Sequence, residues 1–190
     1  SPADSSGVAA IKPGQDEPFN LPVDSDGPLA AVVFKTTADP FVGKLSYFRV
    51  VSGTFSADSQ VWNANKAQSE RIAQVFVPTG KNQEALPSLA AGDIGAVSKL
   101  SVTVTSDTLG LRENPVMIPP IEFPPSMFTS AIYPRSKADV DKMASSISRL
   151  TEEDPTLTFW REPLTGETLL SGLGETHIDV TIERAKRKFG

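Results

Sequence analysis

Two periods organise the apolar positions of this chain, and they change over at a proline-rich segment. Leu29–Thr37 is rich in β-branched residues and is bounded by Asp39-Pro40, and Lys44–Val51 follows Gly43 with similar character. Each predicts a strand, the two joined as a hairpin through a loop over 39–43. Ser59–Asn63, Arg71–Val77 and Ile94–Leu100 continue the series, with a short extended piece at Thr108–Leu111. Turn residues separate them at Ser52-Gly53, Asn63–Lys66, Pro78-Thr79-Gly80 and Ala91-Gly92-Asp93. Short strands punctuated by Gly and Pro predict an all-β sandwich or barrel, and a barrel is favoured because closure hides strand edges. Residues 1–28, rich in Pro, Gly, Ser and Asp, read as an irregular lead-in or linker.

Pro119-Pro120 and Pro124-Pro125 bracket Ile121-Glu122-Phe123, and such pairs stiffen extended backbone. Residues 117–125 are therefore placed as a linker between a β-barrel domain over 29–116 and a second domain over 126–190. Met117–Pro125 is the expected hinge between two rigid bodies. Beyond it the period lengthens from 2 to 3.6. Phe128–Tyr133 predicts a strand, and Ser136 with Asp139 predicts a variant capping box at a helix start. Val140, Met143, Ala144, Ile147 and Leu150 then fall on one helical face, and Asp154-Pro155 stops the helix. Thr156–Arg161 and Glu167–Ser171 read as a hairpin around Pro163–Gly166. Gly174–Lys188 predicts a second helix on the stripe Ile178, Ile182, Ala185 and Phe189, although Ile178, Val180 and Ile182 also alternate as a strand would.

The second domain is thus a β-α-β-β-α, an α+β ferredoxin-like fold short of its last strand. That strand is expected where the chain stops, at Lys188-Phe189-Gly190. Without an initiator Met, the chain is expected to be a piece cut from a longer one. It is expected to be monomeric, with an open edge on the first strand of the second domain that can pair with a neighbour.

Composition narrows the chemistry. There is no Cys and one His among 190 residues, which excludes disulfides, thiolate nucleophiles and cysteine metal sites. The absent Cys fits a reducing, cytoplasmic compartment. Sixteen prolines exceed the usual ~5% and favour a turn-rich chain. No run approaches the roughly 20 apolar residues of a membrane span, and the first residues do not make a signal peptide. Basic and acidic residues number 9 and 13 over 1–124, and 9 and 10 over 125–190, so neither half has the surplus of an autonomous nucleic-acid domain.

No stretch matches a phosphate-binding P-loop, so this chain is expected to have no catalytic site, cofactor or metal of its own. Gly172-Leu173-Gly174 begins like a dinucleotide fingerprint, but His177 stands in place of the third Gly; a tight strand-to-helix turn is the simpler reading. His177 has Glu175 only two residues away, off its helical face, and nothing in sequence assembles a catalytic triad. Glu152, Glu153 and Asp154 read as a solvated helix end. Arg184, Lys186, Arg187 and Lys188 read either as another solvated end, where cations suit the helix dipole, or as a phosphate contact.

A family resemblance goes further than composition. Ala31–Lys35, Asp39-Pro40-Phe41-Val42-Gly43-Lys44-Leu45 and Phe48–Gly53 resemble the second domain of bacterial translation elongation factor G. The resemblance continues through Glu70-Arg71-Ile72, Ala91–Ile94, Lys137–Asp139 with Lys142, and Glu152–Thr156. It ends on Ser171-Gly172-Leu173-Gly174-Glu175-Thr176-His177-Ile178, similar to the family's S-G-M-G-E-L-H-L. Leu173 and Thr176 replace Met and Leu, and Ser106 stands where the family's T-G-D-T-L has Gly. These departures point to a divergent factor or a paralogue, such as a ribosome-protection protein of the tetracycline-resistance type.

The resemblance implies a translation-factor β-barrel (domain II) followed by a ferredoxin-like domain III. It implies a parent GTPase that binds GTP and Mg and drives tRNA and mRNA movement on the ribosome, with its GTPase domain elsewhere. Lys44, Arg49, Lys66 and Arg71 would face small-subunit rRNA. Gly172, Gly174, Glu175 and His177 would form a turn near the parent's GTPase domain and the fusidic acid pocket. An independent barrel-type binding module is the reading from a different class.

Overall fold

The computed structural model describes residues 6–15, 17–39, 43–80, 82–134 and 136–189, apart from the side chains of Asp39 and Lys137. The Pro40–Val42 part of the predicted hairpin turn lies outside them. Two compact units emerge, one of Ser1–Thr36 with Val42–Ile121, the other of Thr37–Phe41 with Glu122–Gly190.

In the first unit the strands are β1 (Val8–Ala10), β2 (Phe19–Leu21), β3 (Ala30–Asp39), β4 (Gly43–Ser52), β5 (Thr54–Ser56), β6 (Ser59–Asn63), β7 (Gln68–Ile72), β8 (Val75–Thr79), β9 (Asn82–Leu86), β10 (Ser88–Ala90), β11 (Ile94–Ser98) and β12 (Thr108–Gly110). Eight form one sheet in the order β7-β6-β12-β3-β4-β11-β8-β9, and β5 with β10 makes a separate short ladder. The large sheet curls into a half-barrel. Side chains from across it, including Val33, Val50, Ile72, Val75 and Leu109, converge on one core with Phe55 of β5. Phe48 and Phe55 meet there with ring centroids 4.3 Å apart, an aromatic contact close to the preferred range. Among the described residues no ladder joins β7 to β9, so the shared core, rather than continuous hydrogen bonding, holds the curl.

Three sequence expectations change here. Arg71–Val77 is not one strand: β7 ends at Ile72 and β8 begins at Val75. Both of those residues are buried in the same core, which a continuous strand forbids because positions three apart face opposite sides. The polar β9, exposed at every position over Asn82–Ala85, gave no alternation to read. The lead-in is not irregular throughout. β1 and β2 pair antiparallel, and Ala10 and Leu21 pack with Ala30, Val51, Val116 and Ile118.

Part of the expected hinge is also tied down. Met117 bridges Ile11, the Ile118 amide donates to Thr108 Oγ1 at 3.0 Å, and the Ile121 amide donates to Ser106 Oγ at 2.6 Å.

The second unit contains β13 (Phe128–Ile132), a 3-10 turn (Lys137–Asp139), α1 (Val140–Glu153), β14 (Thr158–Arg161), β15 (Thr168–Gly172) and α2 (Glu175–Phe189). Its sheet runs β13-β15-β14, all antiparallel. First, third and second strands thus lie side by side, as in a ferredoxin-like fold. Ile132, Ile147, Leu157, Leu170 and Ile178 form the core. The ambiguity at 178–182 resolves by period. Ile178 is buried and Ile182 packs on the core, while Val180 is 51% exposed, as positions on opposite sides of a helix should be. The predicted capping box does not form: Ser136 Oγ donates to the Asp139 carboxylate at 2.8 Å and neither side chain caps the helix.

Ser106 adopts φ 84°, a left-handed conformation that a Cβ disfavours by ~1–2 kcal/mol. Its hydroxyl offsets part of this by holding Ile121. Ser106→Gly should therefore be more stable than Ser106→Ala by about 1 kcal/mol, since alanine keeps the strain and loses the bond. Urea unfolding of both variants checks the order.

Candidate functional site

Two constructions bear the predicted site residues. The first is the β6–β7 hairpin with the loop it grips. Glu70 faces inward on β7 and is only 4% exposed. Its carboxylate accepts from the Ser101, Val102 and Thr103 amides at 3.0, 2.8 and 2.9 Å, and from Thr103 Oγ1 at 3.0 Å. Burial raises the pKa of this carboxyl, but those four donors outweigh it and hold the group below its ordinary value. Asn63, fully buried, donates to Thr103 Oγ1 and to Asp107 Oδ2. Its own oxygen accepts from the Asn65 and Lys66 amides. One buried network thus fixes both the turn that carries Lys66 and the loop over 99–107.

Lys66 and Arg71 are exposed on this hairpin, with Arg71 opposite Gln60. Arg49 is exposed on β4 opposite Ile94. Lys44 is half-buried at the start of the same strand, and an odd spacing puts it on the other face from Arg49. The four cations are therefore spread over two parts of the sheet, not gathered on one strand face.

The second construction is the turn from β15 into α2. Gly172 is buried, and a Cβ there would meet His177 Nδ1 at 2.9 Å and Leu157 and Ile178 side-chain carbons at 3.1 Å, so the position requires glycine. Gly174 has open space where a Cβ would go. Glu175 is exposed in the first helical turn. His177 turns inward instead. Its Nδ1 accepts from the Leu173 amide at 3.1 Å, and its Nε2 lies 3.1 Å from Asp154 Oδ2.

Asp154 is the partner that sequence reasoning missed; 23 positions away in the chain, it offered no local spacing signal. Its Oδ1 accepts from the Thr156 amide and hydroxyl at 2.9 and 2.6 Å. Burial raises the pKa of this carboxyl, and the Thr156 bonds with His177 more than compensate, leaving it below the ordinary value.

Glu153, expected in a solvated cluster, is 5% exposed at its side chain and pairs with Arg184 at 2.7 Å and with Lys188. The Ala38 amide, grouped with the same unit, also donates to it. The basic end of α2 is correspondingly not a free cluster: Lys186 pairs with Glu183 at 2.6 Å. The helix end therefore neutralises a buried acid.

A cavity of about 730 Å³ opens between β13, α1 and α2, floored by Ile132, Met143, Ile147, Ile178 and Ile182. It runs along β13, which among the described residues pairs only with β15. No group of His, Asp or Glu suited to a metal occurs among the described residues, and none of their helices is long and apolar enough to cross a membrane.

The chain is a curled β half-barrel followed by a small α/β unit with two helices. Residues 28–111 match the family Elongation factor G domain 2, and residues 123–190 match Elongation Factor G, domain III. This chain is therefore an elongation-factor-G-like protein carrying domains II and III in order. A crystal structure from Thermus thermophilus is similar, with 30% identity and a TM-score of 0.74 over 85% of this chain. The match spans 24% of that longer chain.

Two substitutions test the buried acids, each read on one of the two tryptophans. Glu70→Gln, followed by Trp62 fluorescence with Trp160→Phe, should destabilise the first unit by about 1–3 kcal/mol, because the amide turns a donor toward the Ser101 N–H. Glu70 has a depressed folded pKa, so its contribution is full above about pH 4.5 and is lost as pH falls through the folded value. The glutamine variant should show a weaker acid dependence. Glu153→Ala, followed by Trp160 with Trp62→Phe, should cost about 1–3 kcal/mol because the buried Ala38 amide loses its acceptor along with the two ion pairs.

Proposed function

We propose that this chain is the segment through which an elongation-factor-G-like GTPase grips the ribosome and relays conformational change during tRNA and mRNA translocation. GTP and Mg bind in another domain of the parent, and the chain itself turns over no substrate. The paired family matches in their proper order carry this reading. The exposed cations on rigid strands supply the contact chemistry: Arg49, Lys66 and Arg71 meet rRNA phosphates as charged points on a surface of net charge −5. Local contacts, not bulk attraction, then set the binding. The turn over Gly172–His177 faces the parent's GTPase domain, and the protein works in the cytoplasm.

Co-sedimentation of the chain with small ribosomal subunits at stepped salt tests the contacts. Arg49→Ala, Lys66→Ala and Arg71→Ala should each weaken binding and lower the slope of log K against log salt by about 1 per phosphate no longer neutralised. Lys44→Ala, at a half-buried site, should change it least. An unaltered slope in all three would remove these residues from the interface. Single-round translocation and GTP hydrolysis by the complete parent protein test the relay; a parent that hydrolyses GTP on ribosomes without moving tRNA would favour a ribosome-protection role.

A further inference from the structure

Both ring nitrogens of His177 have fixed partners, and the partners dictate the proton. The Leu173 amide can only donate, so the Nδ1 it approaches carries no hydrogen. The Asp154 carboxylate can only accept, so Nε2 carries one and donates it. Together they specify a neutral imidazole with its hydrogen on Nε2. The ring fills the inner side of the turn, since Gly172 leaves no room for a Cβ beside Nδ1. Leu173 projects outward and is 42% exposed.

Charged groups of both signs stand on the surrounding elements, with Lys142 and Arg149 on α1, Arg161 on β14, and Lys186 and Arg187 on α2 beside the acids. Glu152, Glu153 and Asp154 end α1, Glu175 and Asp179 stand on α2, and β13 and β15 contribute none. Arg184 and Lys188 are engaged by Glu153.

We propose that His177 is a proton-operated latch on the Gly172–Gly174 turn. As the neutral ring it holds the Leu173 amide and closes the turn onto the start of α2. When Nδ1 takes a proton from solvent, the Nε2 bond to Asp154 persists, the bond from Leu173 breaks, and the turn is released with its exposed leucine. His177 acts as a positioning residue, and the latch stands whether or not the chain meets a ribosome.

Nuclear magnetic resonance on the labelled chain tests this. Ring ¹⁵N shifts should show the Nε2–H form at neutral pH. As pH is lowered from about 8 to about 5, the range in which imidazoles change charge, the protection of the Leu173 amide, corrected for intrinsic exchange, should fall about tenfold with the ring's titration. Amides of β13 and β15 should not follow it. His177→Asn places an oxygen where Nδ1 lies and cannot titrate, so Leu173 should stay protected at every pH. His177→Gln places its amide near Nε2, so Leu173 should be unprotected throughout. An Nδ1–H tautomer, Leu173 protection indifferent to the ring's titration, or a pH response surviving in His177→Asn would overturn the latch. Should a variant fail to fold, the tautomer and titration of the unsubstituted chain decide alone.

Discussion

A carboxylate taken out of water must be surrounded by donors, and this requirement shapes both units of the chain. Glu70 sits on the inward face of a strand, where an apolar residue would be ordinary, and four donors close around it. Leaving such a group unsatisfied is costly, so the loop over 101–103 has to come to β7. Asn63 extends the same solution to Asp107 and to the turn after β6. In the second unit Glu153 and Asp154, consecutive at the end of α1, obey the same rule through different partners. One takes two cations from the end of α2, the other a hydroxyl, an amide and the only histidine.

Function follows from what these networks leave outside. The β6–β7 hairpin, its base fixed by buried hydrogen bonds, leaves Lys66 and Arg71 exposed. The strand–helix turn is held differently. A single imidazole closes it, and Gly172 admits the ring only because it has no side chain. The first construction is held by a network of buried hydrogen bonds, whereas the second is held by two bonds of one ring.

The strong strands were legible because their sequence signal is local. Ala30–Asp39 and Gly43–Ser52 carry long β-branched and aromatic runs, and both helices show their apolar stripe. The reading failed where the period was too short or absent. Three-residue strands such as Val8–Ala10 and Thr54–Ser56 are too short to display alternation, and Asn82–Leu86 is a polar outer strand. At 71–77 two strands abut, and only the shared burial of Ile72 and Val75 exposes the break. The site was half legible: Gly172 and His177 stand in the motif, but the acidic run 152–154 reads as a solvated helix end because burial is not a local property.

By itself the sequence determined the two-part architecture, the change of period at the proline segment, the family and the turn that carries His177. These rest on neighbours in the chain and on motif order. The tertiary structure decided that Glu70 and Glu153 are buried acids, that Asp154 is half-buried against His177, and that Arg184 and Lys188 are engaged rather than free. Partners 23 to 35 positions apart meet in each case. Folding brings them together, and the donors and acceptors then available fix their charge.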